Sequence, residues 1–203
     1  MKLIHGVTTM ALVTLLTLNG CSKHTTSTDS VPKPADTAPK PPPGITVFTS
    51  FDAQNACDRK TAWAVMNGGQ GGYRGQAEWF VPTASGPLNT VDLALTGHGS
   101  ANITLAEDAK GIPGKPVESF ADVPSSQFGP DGHLVLESAA HPQLTAGTKY
   151  WLCAEPADSG TGCAWSYNNL DLAQGFAMER GPGQWSAVPG GPRDGAFRVS
   201  VVK

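Results

Sequence analysis

Residues 45–203 predict an all-β fold, a two-sheet antiparallel β-sandwich of jelly-roll or other Greek-key type, on three observations. Short runs alternate apolar and polar residues, Gly/Pro-rich punctuators separate the runs, and no window sustains a helical stripe of apolar side chains. Val91, Leu93 and Leu95 alternate with Thr90, Asp92, Ala94 and Thr96, as on a half-buried strand. Phe197, Val199 and Val201 repeat the pattern, with Arg198 and Ser200 on the opposite face.

In chain order the first element is a leader. Lys2 and the amino terminus supply positive charge, and an apolar run from Val7 to Leu18 follows. Its length of about twelve residues suits a signal segment, whereas a bilayer span needs roughly twenty. Leu18-Asn19-Gly20-Cys21 resembles the lipobox of bacterial lipoprotein signal peptides, with Asn19 where that family prefers a small residue. The resemblance implies cleavage of residues 1–20, lipid on Cys21, and a membrane held through that lipid without a spanning helix. Ser22 in place of Asp implies the outer membrane in a Gram-negative host. An ordinary secretory leader with Cys21 incidental is the competing reading.

Residues 21–44 form the second element. After Cys21, Val31 is the one large apolar residue, and Pro32, Pro34, Pro39, Pro41, Pro42 and Pro43 favour extended conformations. Such a segment cannot offset its ordering entropy by burial and reads as a disordered, semi-rigid tether. The first 44 residues hold four Lys against two Asp, whereas residues 45–203 hold ten Lys/Arg against fifteen Asp/Glu. A domain near −5 has no basic patch for nucleic acid.

The strands follow. The expected runs are residues 45–51, 61–66, 75–81, 88–96, 101–107, 116–121, 133–137, 148–154, 163–168, 175–179 and 196–202. Turns fall at Gly86-Pro87, Gly97-His98-Gly99, residues 111–114, residues 129–132 and residues 181–183. Residues 67–75 are glycine-rich but lack a Gly-Lys-Ser/Thr ending, so they read as a hairpin loop and not as a phosphate cradle.

Asn102 to Val117, with its Gly-Ile-Pro-Gly turn, then Leu144-Thr-Ala-Gly-Thr-Lys-Tyr-Trp-Leu152, then Ala164-Trp-Ser-Tyr-Asn168 form a motif set. The set is similar to the choice-of-anchor R type of exported bacterial surface domain. It covers roughly residues 46–202 and departs from that type at Ala106, where an aromatic is common. The resemblance implies a sandwich displayed on an anchor and transfers no active site.

With Cys21 assigned to lipid, three thiols remain for an oxidising compartment. Should the strands ending at Cys153 and opening at Cys163 pair as a hairpin, a Cys153–Cys163 disulfide would close residues 155–162 and contribute about 2–3 kcal/mol. Trp151 and Trp165 would then share a face. Cys57 is left free, or pairs with either.

Trp165, Tyr167 and Trp185, with Asn168, are the candidate ligand-binding residues, since flat aromatic faces suit a pyranose and amides its hydroxyls. Core packing is the competing reading for Trp151 and Trp165. His98, His133 and His141 lack metal-ligand spacing, no catalytic elbow or triad pattern occurs, and no metal or other cofactor is expected. The sequence thus predicts a non-catalytic, lipid-anchored cell-envelope sandwich for adhesion, envelope structure or contact with an envelope protein. A carbohydrate-binding module taking polysaccharide is the alternative, and an envelope hydrolase the third reading.

Overall fold

A computed structural model of the chain describes residues 44–203, apart from Pro130 and Pro192. The leader, Cys21 and the tether up to residue 43 lie outside the described residues. Thirteen strands follow in order: β1 (Gly44–Thr49), β2 (Cys57–Asn67), β3 (Tyr73–Phe80), β4 (Gly86–His98), β5 (Ser100–Asp108), β6 (Pro113–Pro124), β7 (His133–Glu137), β8 (Gln143–Leu144), β9 (Tyr150–Pro156), β10 (Gly162–Asn168), β11 (Phe176–Glu179), β12 (Trp185–Val188) and β13 (Phe197–Val202). Single 3-10 turns at Gly69–Gly71 and Ser125–Gln127 are the only helical pieces among the described residues. The domain is all-β and antiparallel, as the alternation predicts. β8, of two residues, is too short to carry a period, and β12, Trp185–Val188 between glycine- and proline-rich turns, also escapes the sequence reading.

Hydrogen bonding runs in the order β1-β13-β4-β10-β2-β3-β9-β5-β6; β7 and β8 add to β4, while β11 lies on β3 and carries β12. The sheet does not close into a barrel. β2 and β3 pair only at Met66↔Arg74 and Asn67↔Tyr73, beside the glycine-rich loop, and then part. β2 continues along β10, and β3 along β9 and β11. The two halves of the sandwich separate at that corner.

Between the halves lies one core. β4 contributes Leu88, Val91, Leu93 and Leu95; β13 contributes Phe197, Val199 and Val201; and Phe80, Ile103, Leu105 and Leu152 come from the facing half. Each such large side chain contributes roughly 1.5–3 kcal/mol by leaving water. Leu88 and Val91 are three residues apart and would face opposite sides of a regular strand. The register slips between Ser200↔Thr90 and Val201↔Leu88, so a bulge at Asn89 turns both inward. Phe197 binds the aromatics together, stacked on Phe48 at 4.8 Å and edge-on to Trp165 at 5.9 Å.

The hairpin expected between the strands of Cys153 and Cys163 does not form. β9 lies between β3 and β5, and β10 between β2 and β4, in different parts of the sheet order. Cys163 points into the main core, whereas Cys153 belongs to a second apolar cluster on the opposite face of β9. Cys57, Cys153 and Cys163 are accordingly free thiols, and Trp151 does not share a face with Trp165. Nine residues between the two cysteines suggest a short hairpin loop; instead they carry the chain across the sandwich.

Candidate functional site

The face of β3, β9 and β11 turned away from the core has its own logic. On β3, Gln76, Glu78 and Phe80 point inward, so Gly75, Ala77 and Trp79 point outward. On β9, Leu152 points inward while Trp151, Cys153 and Glu155 point outward; on β11, Ala177 and Glu179 do. The ladder sets Trp79 opposite Trp151 and Ala77 opposite Cys153. Ala77, Ala106, Trp151, Cys153 and Ala177 form a buried outer cluster, with Trp79 and Trp185 packed against it. Small residues on the inner rows leave room for the indoles at one end.

At that end lies a shallow cleft of about 200 Å³, lined among others by Trp79, Lys149, Trp151, Gln174, Ala187 and Pro189. The Lys149 ammonium sits 4.7 Å from the Trp79 ring centre and 4.6 Å from that of Trp151. It also pairs with Asp108 at 3.3 Å, and Trp151 Nε1 donates to Asp108 Oδ1 at 2.8 Å. Burial pushes the Asp108 carboxyl up, but the bonds from Trp151 and Gly111 and the Lys149 charge outweigh it and hold the carboxyl below its ordinary value. An indole locked by a charge-assisted hydrogen bond and capped by a cation is pre-organised, so little rotamer freedom remains to be lost when a ligand arrives.

The opposite end of the same face is acidic. A Cβ on Gly75 would stand 2.7 Å from Glu179 Oε2 and 3.3 Å from Glu155 Cγ, so the missing side chain makes room for both acids. Burial, then the charge of Glu179, pushes Glu155 up to about 7, and burial also raises Glu179. The Gly183 amide donates to Glu179 Oε1, fixing the turn between β11 and β12. Cys153, wholly buried beside them, has its thiol raised well above its ordinary value by burial and by both acids, which makes it inert as a nucleophile.

A second pair of acids lies inside. Glu78 accepts from the Gly195 amide at 3.0 Å and from Gln76 Nε2 at 3.2 Å. Asp194 accepts from the Gln174 amide at 2.9 Å. Neither Glu78 Oε2 nor Asp194 Oδ1 has a hydrogen-bond partner among the described residues. Burial raises both carboxyls, and the Asp194 charge raises Glu78 further.

The aromatic platform expected on β10 is dispersed. Trp165 is fully buried and donates through Nε1 to the Ala196 carbonyl at 2.9 Å. Asn168 is fully buried as well: Oδ1 accepts from the Leu170 and Leu172 amides, while Nδ2 donates to the Leu172 and Asp194 carbonyls. All its capacity goes into shaping the loop after β10, so neither residue can meet a ligand. Tyr167, half-buried, packs on Trp63 at 5.4 Å with the Arg193 guanidinium 5.8 Å from its ring. Of the four, Trp185 alone lies on the outer face, where the ladder sets it opposite Glu179 at the acidic end. His133 bonds Asp92 at 3.0 Å and the Asn55 carbonyl at 3.2 Å; His141 bonds the Leu88 carbonyl at 2.8 Å. Both tie loops to strands.

Sequence reasoning missed Trp79, Lys149, Glu155 and Glu179 as neighbours. The signal was the small-small-large progression Gly75, Ala77, Trp79 on one face of a strand that also buries Glu78. No protein-family model matches the chain, and no curated protein matches it.

Proposed function

We propose that this chain is a lipid-anchored envelope protein whose sandwich works by contact and not by catalysis, and that the contact is with a carbohydrate. The observation that carries this reading is the outer cleft, where the partly exposed Trp79 stands against the buried Trp151, with Lys149, Asp108 and Gln174 at its edge. Flat apolar faces with a few fixed polar groups suit the C–H face and hydroxyls of a pyranose. The aromatic-platform idea therefore moves from β10 to β3 and β9, with Trp185 on the same outer face but away from the cleft. Lipid on Cys21 and the proline-rich tether would keep the domain at a membrane, outer in a Gram-negative host, where polysaccharide is within reach. The likeness to the choice-of-anchor R type supports the displayed setting and is silent on the ligand.

Two variants test the two halves of the proposal. In pull-downs on peptidoglycan sacculi and insoluble polysaccharides, Trp79→Ala is expected to lower retention about tenfold, the loss of one stacked ring, with unchanged circular dichroism. Retention equal to the parent chain would refute the cleft. Cys21→Ser is expected to abolish incorporation of labelled palmitate, and unchanged labelling would refute the anchor.

A further inference from the structure

A second cleft, of about 360 Å³, opens at the corner where β2 and β3 part, lined by Gly71, Gly72, Tyr73, Arg74, Met178 and Arg180. The domain holds five arginines. Three of them are neutralised: Arg59 pairs with Asp131, Arg193 with Asp58 and Asp171, and Arg198 with Asp92. The other two are Arg74 and Arg180, and both line this one cleft. Arg74 makes a single bond, from Nε to the Gly71 carbonyl at 3.3 Å, and Arg180 has neither hydrogen bond nor ion pair among the described residues.

Their meeting follows from register. The β3–β11 ladder pairs Gln76 with Met178 and Gly75 with Glu179, so one step further sets Arg180 beside Arg74. Like charges opposite each other on neighbouring strands destabilise a sheet unless something neutralises them. The nearest acids do not: Glu179 and Glu155 close over the Gly75 side of β3, where Glu179 is taken up by the Gly183 amide and by the hydroxyl of Tyr73 at the cleft wall. In a domain with excess negative charge, this corner is a local concentration of uncompensated positive charge. Glycines at 71 and 72 leave the approach open on the β2–β3 side.

The geometry points to an oxyanion site in which Arg74 and Arg180 together hold one phosphate-type dianion. Guanidinium forks bind such groups by paired, charge-assisted hydrogen bonds, and two of them match a double negative charge. The dianion is either free phosphate or the phosphomonoester headgroup of a lipid. This inference is independent of the carbohydrate reading, because it uses another face and other residues.

Calorimetric titration of the full chain with inorganic phosphate, at ionic strength matched with chloride, tests the first source. Flotation with phosphatidylcholine vesicles containing phosphatidic acid tests the second. Saturable binding in at least one arm is expected, weakened about tenfold by either Arg74→Gln or Arg180→Gln and abolished by both. Arg59→Gln, at an exposed and already paired site, should leave it unchanged. Both cleft arginines are exposed, so the variants should keep the parent melting temperature. Binding to phosphate assigns the free anion; arginine-dependent binding to vesicles alone assigns the headgroup. No saturable binding in either arm, or equal binding by the double variant, overturns the site.

Discussion

Gly75 and Glu155 show how one missing side chain sets a chemical property. Because position 75 carries no Cβ, Glu155 and Glu179 close over the same spot, and burial with mutual repulsion lifts Glu155 to about 7. A carboxyl raised on folding stabilises the fold fully below its unfolded value near 4.5 and loses that contribution as pH climbs through the folded value. Glu78, Asp194 and Glu179 are raised in the same direction. The domain should therefore be most stable in mild acid and weaken between about pH 4.5 and 8. Glu155→Gln is expected to add about 1–2 kcal/mol at pH 8, after allowance for partial exposure, and to change little at pH 4.5. Urea melts at the two pH values would show it; an equal effect at both would contradict the shift. None of this was legible in the sequence, since Gly75, Glu155 and Glu179 come together only through the β11–β3–β9 ladder.

At the scale of elements, most strands were legible because they carry enough residues to show a period of two between clear turn signals, whereas β8 and β12 do not. Pairing was not. The segment from Tyr150 to Asn168 reads as a hairpin, two apolar strands around a Gly-rich turn, yet β9 and β10 bond to other neighbours. Local sequence specifies a strand's faces, while its partner is decided by which long-range core it can enter. Cys153 and Cys163 follow their strands into separate clusters. Thiol labelling with mass-spectrometric readout should modify Cys57, which is half-buried, in the folded chain, and Cys153 and Cys163 only on unfolding. Recovery of a Cys153–Cys163 bridged peptide under non-reducing conditions would contradict this arrangement. The same partner choice explains why Trp165 fails as a ligand platform. Its ring lies against Gly195, where an added Cβ would stand 2.7 Å from Nε1, and Gly195→Val should cost about 1–3 kcal/mol by overpacking. A chemical denaturation midpoint equal to the parent's would count against that close contact.

For the whole molecule, composition and pattern made the fold class legible: a mildly acidic, turn-rich chain of alternating runs gave an open, all-antiparallel sandwich. The functional surface was legible only as an expectation that tryptophans would matter. Which tryptophans depends on the inside–outside parity of each strand, and that parity puts Trp165 in the core and Trp79 on the outer face. The five indole N–H groups report separately in a nitrogen–proton correlation spectrum, so a single titration with soluble envelope glycan tests the contact surface directly. The resonance of Trp79 is predicted to move with saturation, those of the buried Trp151 behind it and of Trp185 to move less, and those of Trp63 and Trp165 to stay in place. A stationary Trp79 resonance, or shifts confined to Trp63 and Trp165, would contradict a carbohydrate-binding outer cleft.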